Sequence, residues 1–295
     1  MISIFYSKTI DMKKMMLGIA LGIMAFTTFG QVKKENNTSI QLIRNATVVF
    51  HYGGKEFLID PLLAEKDAYP GFPGTANAHL RNPLVALPLP VETLLDPDAI
   101  IVTHMHADHW DEAAVKMLPK DKKVFAQNEE DAAAIRLQGF KHTEVLAPNT
   151  HFKNIKLQKT HAQHGSDEAY ANAQMGKLLG DASGIFFTLV GEKSVYFAGD
   201  AIWTTNFGLQ LQKLNPDVVV LNTGDAQVDG FGAIIMGKED VSKVHQLLPD
   251  AIIIAIHMEA INHCVLSRKE LADYVKEMGI TAKVIIPSDG EKIVL

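Results

Sequence analysis

Three imidazoles and a carboxylate, His104, His106, Asp108 and His109, fall within six residues of the stretch I-I-V-T-H-M-H-A-D-H-W-D. The apolar run Ala99 to Val102 leads into them, and a helix-like segment, Asp111 to Leu118, leads out. A strand that stops at Thr103 fans these side chains around one point. Packing does not account for so many lone-pair donors, because buried imidazoles and carboxylates need partners. Borderline metal ions such as zinc take nitrogen and oxygen ligands of this kind.

Further donors fall just beyond other apolar runs. His161 and His164 follow Lys156 to Thr160, Asp200 follows Val195 to Ala198 in F-A-G-D-A, and His257 follows Ile252 to Ile256, with His263 six residues on. Strand ends converging on one sheet edge bring such residues together, and a set of this size is enough for two ions sharing a bridge. His51, His79, His142, His151 and His245 have no such placement and are read as ordinary surface or core residues.

The elements that must do this positioning alternate along the chain. Ile40 to Phe50 and Lys55 to Ile59 read as strands joined at Tyr52-Gly53-Gly54 and closed by Asp60-Pro61. After the cluster come strands at 123–126, 152–160, 183–190, 194–198, 218–222 and 251–256, with helices at 129–138, 209–214, 238–248 and 268–278. A final strand pair, 283–286 and 292–295, turns at Asp289-Gly290. Buried strands interleaved with amphipathic helices predict a layered α/β architecture. The segment Leu63 to Pro97 is long, rich in Pro, Gly and Asn, and aperiodic, and such a loop inside a compact domain is usually functional.

T-H-M-H-A-D-H-W resembles the signature of the metallo-β-lactamase superfamily, and the resemblance extends from about Ile40 to Leu295. It implies a four-layer αβ/βα sandwich, two mixed β-sheets back to back with helices outside, and a metal-dependent hydrolase. It implies a site of two metal ions: His104, His106 and His164 on one, Asp108, His109 and His257 on the other, and Asp200 spanning both. His164 is preferred to His161 because it stands beside Gly165, and His257 to His263 because it lies directly at a strand exit. Two Zn2+ suit these donors best, with manganese or iron as alternatives. A water between two dications ionises near neutrality and is the implied nucleophile. Asp108 and His263 are the expected catalytic residues, His263 as proton donor to a leaving group; Glu259, Asn262 and Asp225 are further candidates. T-H-A-Q-H-G and the terminal I-P-S-D-G-E-K-I are similar to the branch of ascorbate-6-phosphate lactonase and N-acyl-phosphatidylethanolamine phospholipase D.

The first thirty residues are of another kind. Lys13 and Lys14 precede an apolar stretch, Met15 to Phe29, that ends in Gly30-Gln31, the layout of a secretory signal too short for a membrane span. The expected organisation is a signal peptide over 1–30, a hydrolase domain over 31–295, and a periplasmic or secreted protein with no membrane span after cleavage. Loss of the leader takes the net charge from -6 to -8, as three lysines and one aspartate leave. An acidic surface excludes nucleic acid as a natural partner. The single cysteine, Cys264, rules out an intrachain disulfide and reads as structural. The function expected is an exported hydrolase of a small ester, lactone or phosphodiester; the alternative is a metal- or ligand-binding protein on the same scaffold without turnover.

Overall fold

The computed structural model describes Met1 and residues 38–295; apart from Met1, the leader expected over 1–30 lies outside the described residues. The strand expected over Ile40 to Phe50 is two strands, β1 (Ser39–Arg44) and β2 (Thr47–Tyr52), paired antiparallel. Asn45 breaks the run by turning at φ 54°, a left-handed conformation that Asn tolerates better than most residues. With β3 (Lys55–Ile59), β4 (Ala99–Val102), β5 (Lys123–Ala126), β6 (His142–Val145) and β16 (Lys292–Val294) they form a seven-stranded sheet in the order β16-β1-β2-β3-β4-β5-β6. The second seven-stranded sheet runs β15-β14-β11-β10-β9-β8-β7. Its strands are β7 (Thr150–Phe152), β8 (Ile155–Ala162), β9 (Ala182–Thr188), β10 (Val195–Phe197), β11 (Val218–Asn222), β14 (Ile252–Ile256) and β15 (Val284–Ile285). A two-stranded ribbon, β12 (Gln227–Val228) and β13 (Gly232–Ala233), stands apart.

Both sheets are mixed. Strands β3 to β6 are parallel, as are β10, β11, β14 and β15, while the remaining neighbours run antiparallel. The final strand pair expected at the C-terminus is not a pair: β15 joins the second sheet beside β14, and β16 joins the first beside β1. The chain therefore crosses from one sheet to the other through Asp289-Gly290.

Alternation of apolar side chains sets the layers. Ile40, Leu42, Val48, Phe50, Phe57 and Ile59 face inward and meet Ile185, Phe187, Phe197, Val220 and Ile254 of the other sheet. Phe50 lies 4.9 Å from Phe187 and 5.1 Å from Phe197, centroid to centroid, both near edge-to-face. Burying such a ring contributes about 1.5–3 kcal/mol. The outer face of the first sheet is covered by α1 (Glu112–Met117) and α2 (Glu129–Leu137) through Ala114, Ala132 and Ile135. The second sheet is covered by α5 (Thr205–Leu214), α6 (Lys238–Leu247) and α7 (Arg268–Glu277) through Phe207, Leu211, Val241, Val244, Leu271 and Val275. The result is the four-layer αβ/βα sandwich. Two short helices not expected from the sequence, α3 (Asp167–Ala171) and α4 (Ala173–Leu179), lie between β8 and β9.

The long segment after β3 is tied down by two buried polar nodes. Arg44, fully buried, donates through Nε and Nη2 to the Leu62 carbonyl at 3.2 and 3.0 Å, through Nη1 to Val85 O at 2.8 Å, and through Nη2 to Ala64 O. Burial pulls its pKa down to about 10 against the attraction of Asp111 and Asp289. Asn262 is the second node: its Oδ1 accepts from Phe72 N and Asn82 Nδ2, and its Nδ2 donates to Thr75 Oγ1 and Ala76 O. Replacing Arg44 by Met leaves three carbonyls without their donor. A loss of about 3 kcal/mol is expected, read as a lower urea midpoint at unchanged m-value; an unchanged midpoint would show the node to be dispensable.

Candidate metal centre

Every strand that feeds the centre does so at its C-terminal end, where polar residues can leave a buried sheet. Strand β4 is buried throughout and stops at Thr103, whose N–H and hydroxyl both donate to Asp60, at 2.8 and 2.7 Å. Asp60 itself stands directly after β3 at φ 48°. The chain then turns tightly, His109 N and Trp110 N both bonding to His106 O, before Asp111 caps α1 by accepting from Ala114 N. This turn brings His104, His106, Asp108 and His109 to one side.

The second sheet supplies the rest. His164 follows β8 by two residues, Asp200 follows β10 by three, and His257 directly follows β14. The approach of Asp200 depends on Gly199, which has φ 67° and leaves no room for a side chain: a Cβ there would stand 2.3 Å from Ser183 O. His257 sits at φ 66°, and its N–H donates to Asn45 O in the first sheet's opening turn.

Five imidazoles share one arrangement. Each has one ring nitrogen held by an outer group, so the other turns inward. His109 Nδ1 donates to Asp60 Oδ2 at 2.9 Å, His164 Nδ1 to Ile234 O at 2.8 Å, and His106 Nε2 to Leu178 O at 2.9 Å. The Thr103 hydroxyl gives its proton to Asp60 and so accepts from His104 Nδ1 at 3.2 Å. His257 Nδ1 meets Cys264 Sγ at 3.3 Å. Outer partners of this kind set tautomer and ring orientation in metal sites.

The inward atoms converge. His104, His106 and His164 place ligand atoms within 4.8 Å of one another; so do Asp108, His109 and His257, and so do His104, His109 and Asp200. Asp200 Oδ2 lies 3.2 Å from His109 Nε2, 3.6 Å from His164 Nε2 and 3.8 Å from His104 Nε2, while Oδ1 is 3.6 Å from His257 Nε2. Asn222 Nδ2 holds Oδ1 at 2.6 Å. All of these except half-buried His106 are buried.

The donors fit a cation. His104 Nε2 is buried without any hydrogen-bond partner. His109 Nε2 and His257 Nε2 face each other at 3.1 Å, as do His164 Nε2 and His106 Nδ1 at 3.2 Å. Burial, with His109 and His106 close by, drives the His104 pKa well down, and burial takes His164 to about 4, so both present lone pairs. Burial would push the Asp108 and Asp200 carboxyls up, but His109 and His257 hold both well below the usual range. The same carboxylates outweigh burial at His109 and raise it to about 10, Asp200 leading.

The remaining sequence candidates fall elsewhere. His161 is exposed on β8, with its backbone paired to Ser183, so the cluster takes His164. Glu259 is bound to Arg268 at 2.6 Å, on the surface, and Asp225 accepts from Gln227 Nε2. Asn262 serves the long loop. His263 is buried with Nδ1 unpartnered, set edge-on to Phe72 at 5.2 Å, and lies outside the three ligand groups. Cys264 Sγ lies against His257 Nδ1. Asp60, Asn45 and Asn222 were missed. The signal for Asp60 was present: it too stands directly beyond an apolar strand.

A cavity of about 290 Å³ opens beside the centre. Phe72, Pro73, Met105, Leu179, Val228 and Ile234 supply its apolar wall, with His106, Asp108 and His263 at its polar end.

Comparison with known proteins agrees with this geometry. The family model described as Beta-lactamase superfamily domain matches residues 39–257. The UPF0173 protein YddR of Bacillus subtilis (strain 168) is 46% identical over 254 residues, covering 86% of this chain and 98% of that protein. The crystal structure of isothiocyanate hydrolase from Delia radicum gut bacteria matches with TM-score 0.86 and 53% identity, over 87% of this chain and 99% of that one. A possible metal-dependent hydrolase from Veillonella parvula DSM 2008 matches with TM-score 0.86 and 42% identity, over 88% and 99%. A sandwich of two mixed sheets, with His and Asp donors converging at the strand ends and relatives of this closeness, makes the chain a member of the β-lactamase superfamily and, within it, of the UPF0173 proteins.

Proposed function

We propose that the protein is a metal-dependent hydrolase of small, neutral, apolar isothiocyanates, with His104, His106 and His164 holding one ion, Asp108, His109 and His257 a second, and Asp200 between them. The reading is carried by the 53% identity to an isothiocyanate hydrolase, and the apolar cavity is its physical counterpart. Among the described residues lining that cavity there is no Lys or Arg to neutralise a phosphodiester, so an anionic substrate fits poorly. A neutral ester or lactone fits the same wall and is the second reading. The composition agrees with the first: thiols add to the electrophilic carbon of an isothiocyanate, and this chain has one cysteine, its sulfur turned to His257. The basic pair Lys13-Lys14 ahead of the apolar stretch Met15 to Phe29 supports residues 1–30 as an export leader.

Zinc is the ion these donors favour; bound there, it supplies Lewis acidity and lowers the pKa of water. The chain's own groups do the rest. Water adds at the central carbon of N=C=S, the C–N bond breaks, and both protons of the water end on nitrogen, giving a primary amine and carbonyl sulfide. Asp108, held by Asn45 Nδ2 at 3.1 Å through its backbone carbonyl, orients the attacking water from the cavity's polar end. His263 faces the same cavity and passes a proton to nitrogen. Phe72 and the apolar wall exclude bulk water.

Purified protein is expected to contain a transition metal, and chelation is expected to lower its melting temperature. Absence of metal together with an unmoved melting temperature would sink the metal assignment. Benzyl isothiocyanate, followed by loss of its ultraviolet absorbance and by amine release, is expected to be consumed. His104→Ala should abolish this, and Asp108→Ala should lower kcat about 10²–10⁴-fold and His263→Ala about 10²-fold. Faster turnover of a neutral ester than of any isothiocyanate would transfer the assignment to the second reading. Asp60→Asn removes the acceptor that orients His109 and Thr103 and should cost about 10–100-fold in metal affinity; wild-type affinity would show that the ring is held by packing alone.

A further inference from the structure

The tight turn between β1 and β2 carries a residue that turn geometry alone does not explain. Asn45 is fully buried and holds φ 54°. Glycine adopts that left-handed conformation more readily than any residue with a side chain, and it would leave no side-chain polar atom behind. Asn45 leaves one: its Oδ1 is buried without a hydrogen-bond partner, and such an atom is destabilising. What offsets it must come through the other half of the amide.

That half faces the candidate centre. Nδ2 donates to the Asp108 backbone carbonyl at 3.1 Å and to Asp108 Oδ2 at 3.4 Å, and it lies 3.3 Å from His257 Nε2. A carbonyl and a carboxylate only accept, so the amide orientation is fixed. The backbone carbonyl of the same residue receives the His257 N–H. One residue thus engages two of the three members of the group Asp108, His109 and His257, one beyond β4 in the first sheet and the other beyond β14 in the second. The third member, His109, is held by Asp60. Among the described residues, Asn45 is the one hydrogen-bond donor to the Asp108 carboxylate that is not itself a proposed ligand.

Asp108 also borders the apolar cavity, and a carboxylate at a cavity's edge can turn toward water. We propose that Asn45 is a positioning residue for the second ion: its amide keeps the Asp108 carboxylate turned inward, and its carbonyl sets the backbone of His257. The other group, His104, His106 and His164, takes its outer partners from Thr103, Leu178 and Ile234 instead. Loss of the amide therefore weakens one ion's site and spares the other. The inference rests on the two-ion reading above.

The metal-free full chain is equilibrated with zinc at graded, chelator-buffered concentrations, and the bound zinc is counted. The wild type is expected to fill two sites. Asn45→Gly keeps the turn and the carbonyl that receives the His257 N–H, and removes the amide alone. It is expected to fill one site as the wild type does and the other about 10–100-fold more weakly. The spared site is also the check that the variant is folded. Asn45→Asp has the same shape, tolerates the same turn and presents an acceptor where the donor was. The same selective loss is expected of it, and it decides the matter should the glycine variant not fold. With zinc saturating, kcat for benzyl isothiocyanate is expected to fall at unchanged KM, because Asn45 is not among the residues lining the cavity. Two wild-type-like sites in a folded variant, or equal weakening of both, would overturn the role of Asn45 alone. A wild type that fills a single site would overturn the two-ion reading and this role with it. Counting zinc needs no substrate, so the isothiocyanate reading stands or falls separately.

Discussion

The structure depends on holding five imidazoles by their outer nitrogens. A free imidazole ring can turn either nitrogen toward a site, and a cluster of five would have many arrangements. Here Asp60, Thr103, the Ile234 and Leu178 carbonyls and Cys264 each engage one ring nitrogen, so the inward set of ring nitrogens is fixed by groups outside it. Five inward nitrogens, with Asp108 and Asp200 among them, are buried or nearly so at mutual distances that suit a shared cation and little else. Packing so many donors together costs desolvation; the carboxylates offset part of it, and a bound cation would offset the rest.

The outer partners come from very different parts of the fold, and that ties the centre to the whole architecture. Asp60 ends β3 and accepts from Thr103 at the end of β4, so the first sheet's parallel register is fixed by the same carboxylate that orients His109. Ser183 Oγ donates to Thr103 O from β9, joining the second sheet to that node. Ile234 and Cys264 border the β12–β13 ribbon, and Leu178 closes α4. A shift of either sheet would therefore displace the groups that hold the imidazoles.

What could be read from the residues was the repeated placement of donors just after apolar strands, because strand ends and polar residues are both local signals. His104, His106, Asp108, His109, His164, Asp200 and His257 were found that way and by resemblance to the superfamily, and the structure brings all seven together. Asp60 met the same rule but was read as a strand terminator, since Asp-Pro is ordinary turn chemistry. Partners supplied by backbone carbonyls, Ile234 and Leu178, carry no residue-type signal at all. The split of β15 and β16 between sheets was illegible for a related reason: Asp289-Gly290 looks like a hairpin turn, and only distant partners decide otherwise. Helices α3 and α4 are five and seven residues long, too short for periodicity to show. The motif reached the superfamily, while the branch it resembles is a finer statement than the relatives' names carry.

Chemistry and selectivity draw on different parts of the chain, and the division follows from rigidity. Metal donors need placement to a fraction of an ångström, and they stand at the ends of buried strands. The cavity wall needs only shape and polarity, and it comes from the long segment after β3, from α4 and from the ribbon. Such a segment would ordinarily be mobile, and a mobile wall cannot exclude water. Arg44 and Asn262 resolve this by spending buried donors and acceptors on its backbone, so that Phe72 is held against His263 without a strand or helix of its own. Since those two nodes bind backbone and polar anchor groups and not the side chains of the wall, Phe72 and Pro73 are free to differ between relatives while the loop keeps its path. Substrate range in this family should therefore vary by exchange of wall residues on a fixed loop, with the imidazole cluster unchanged beneath it.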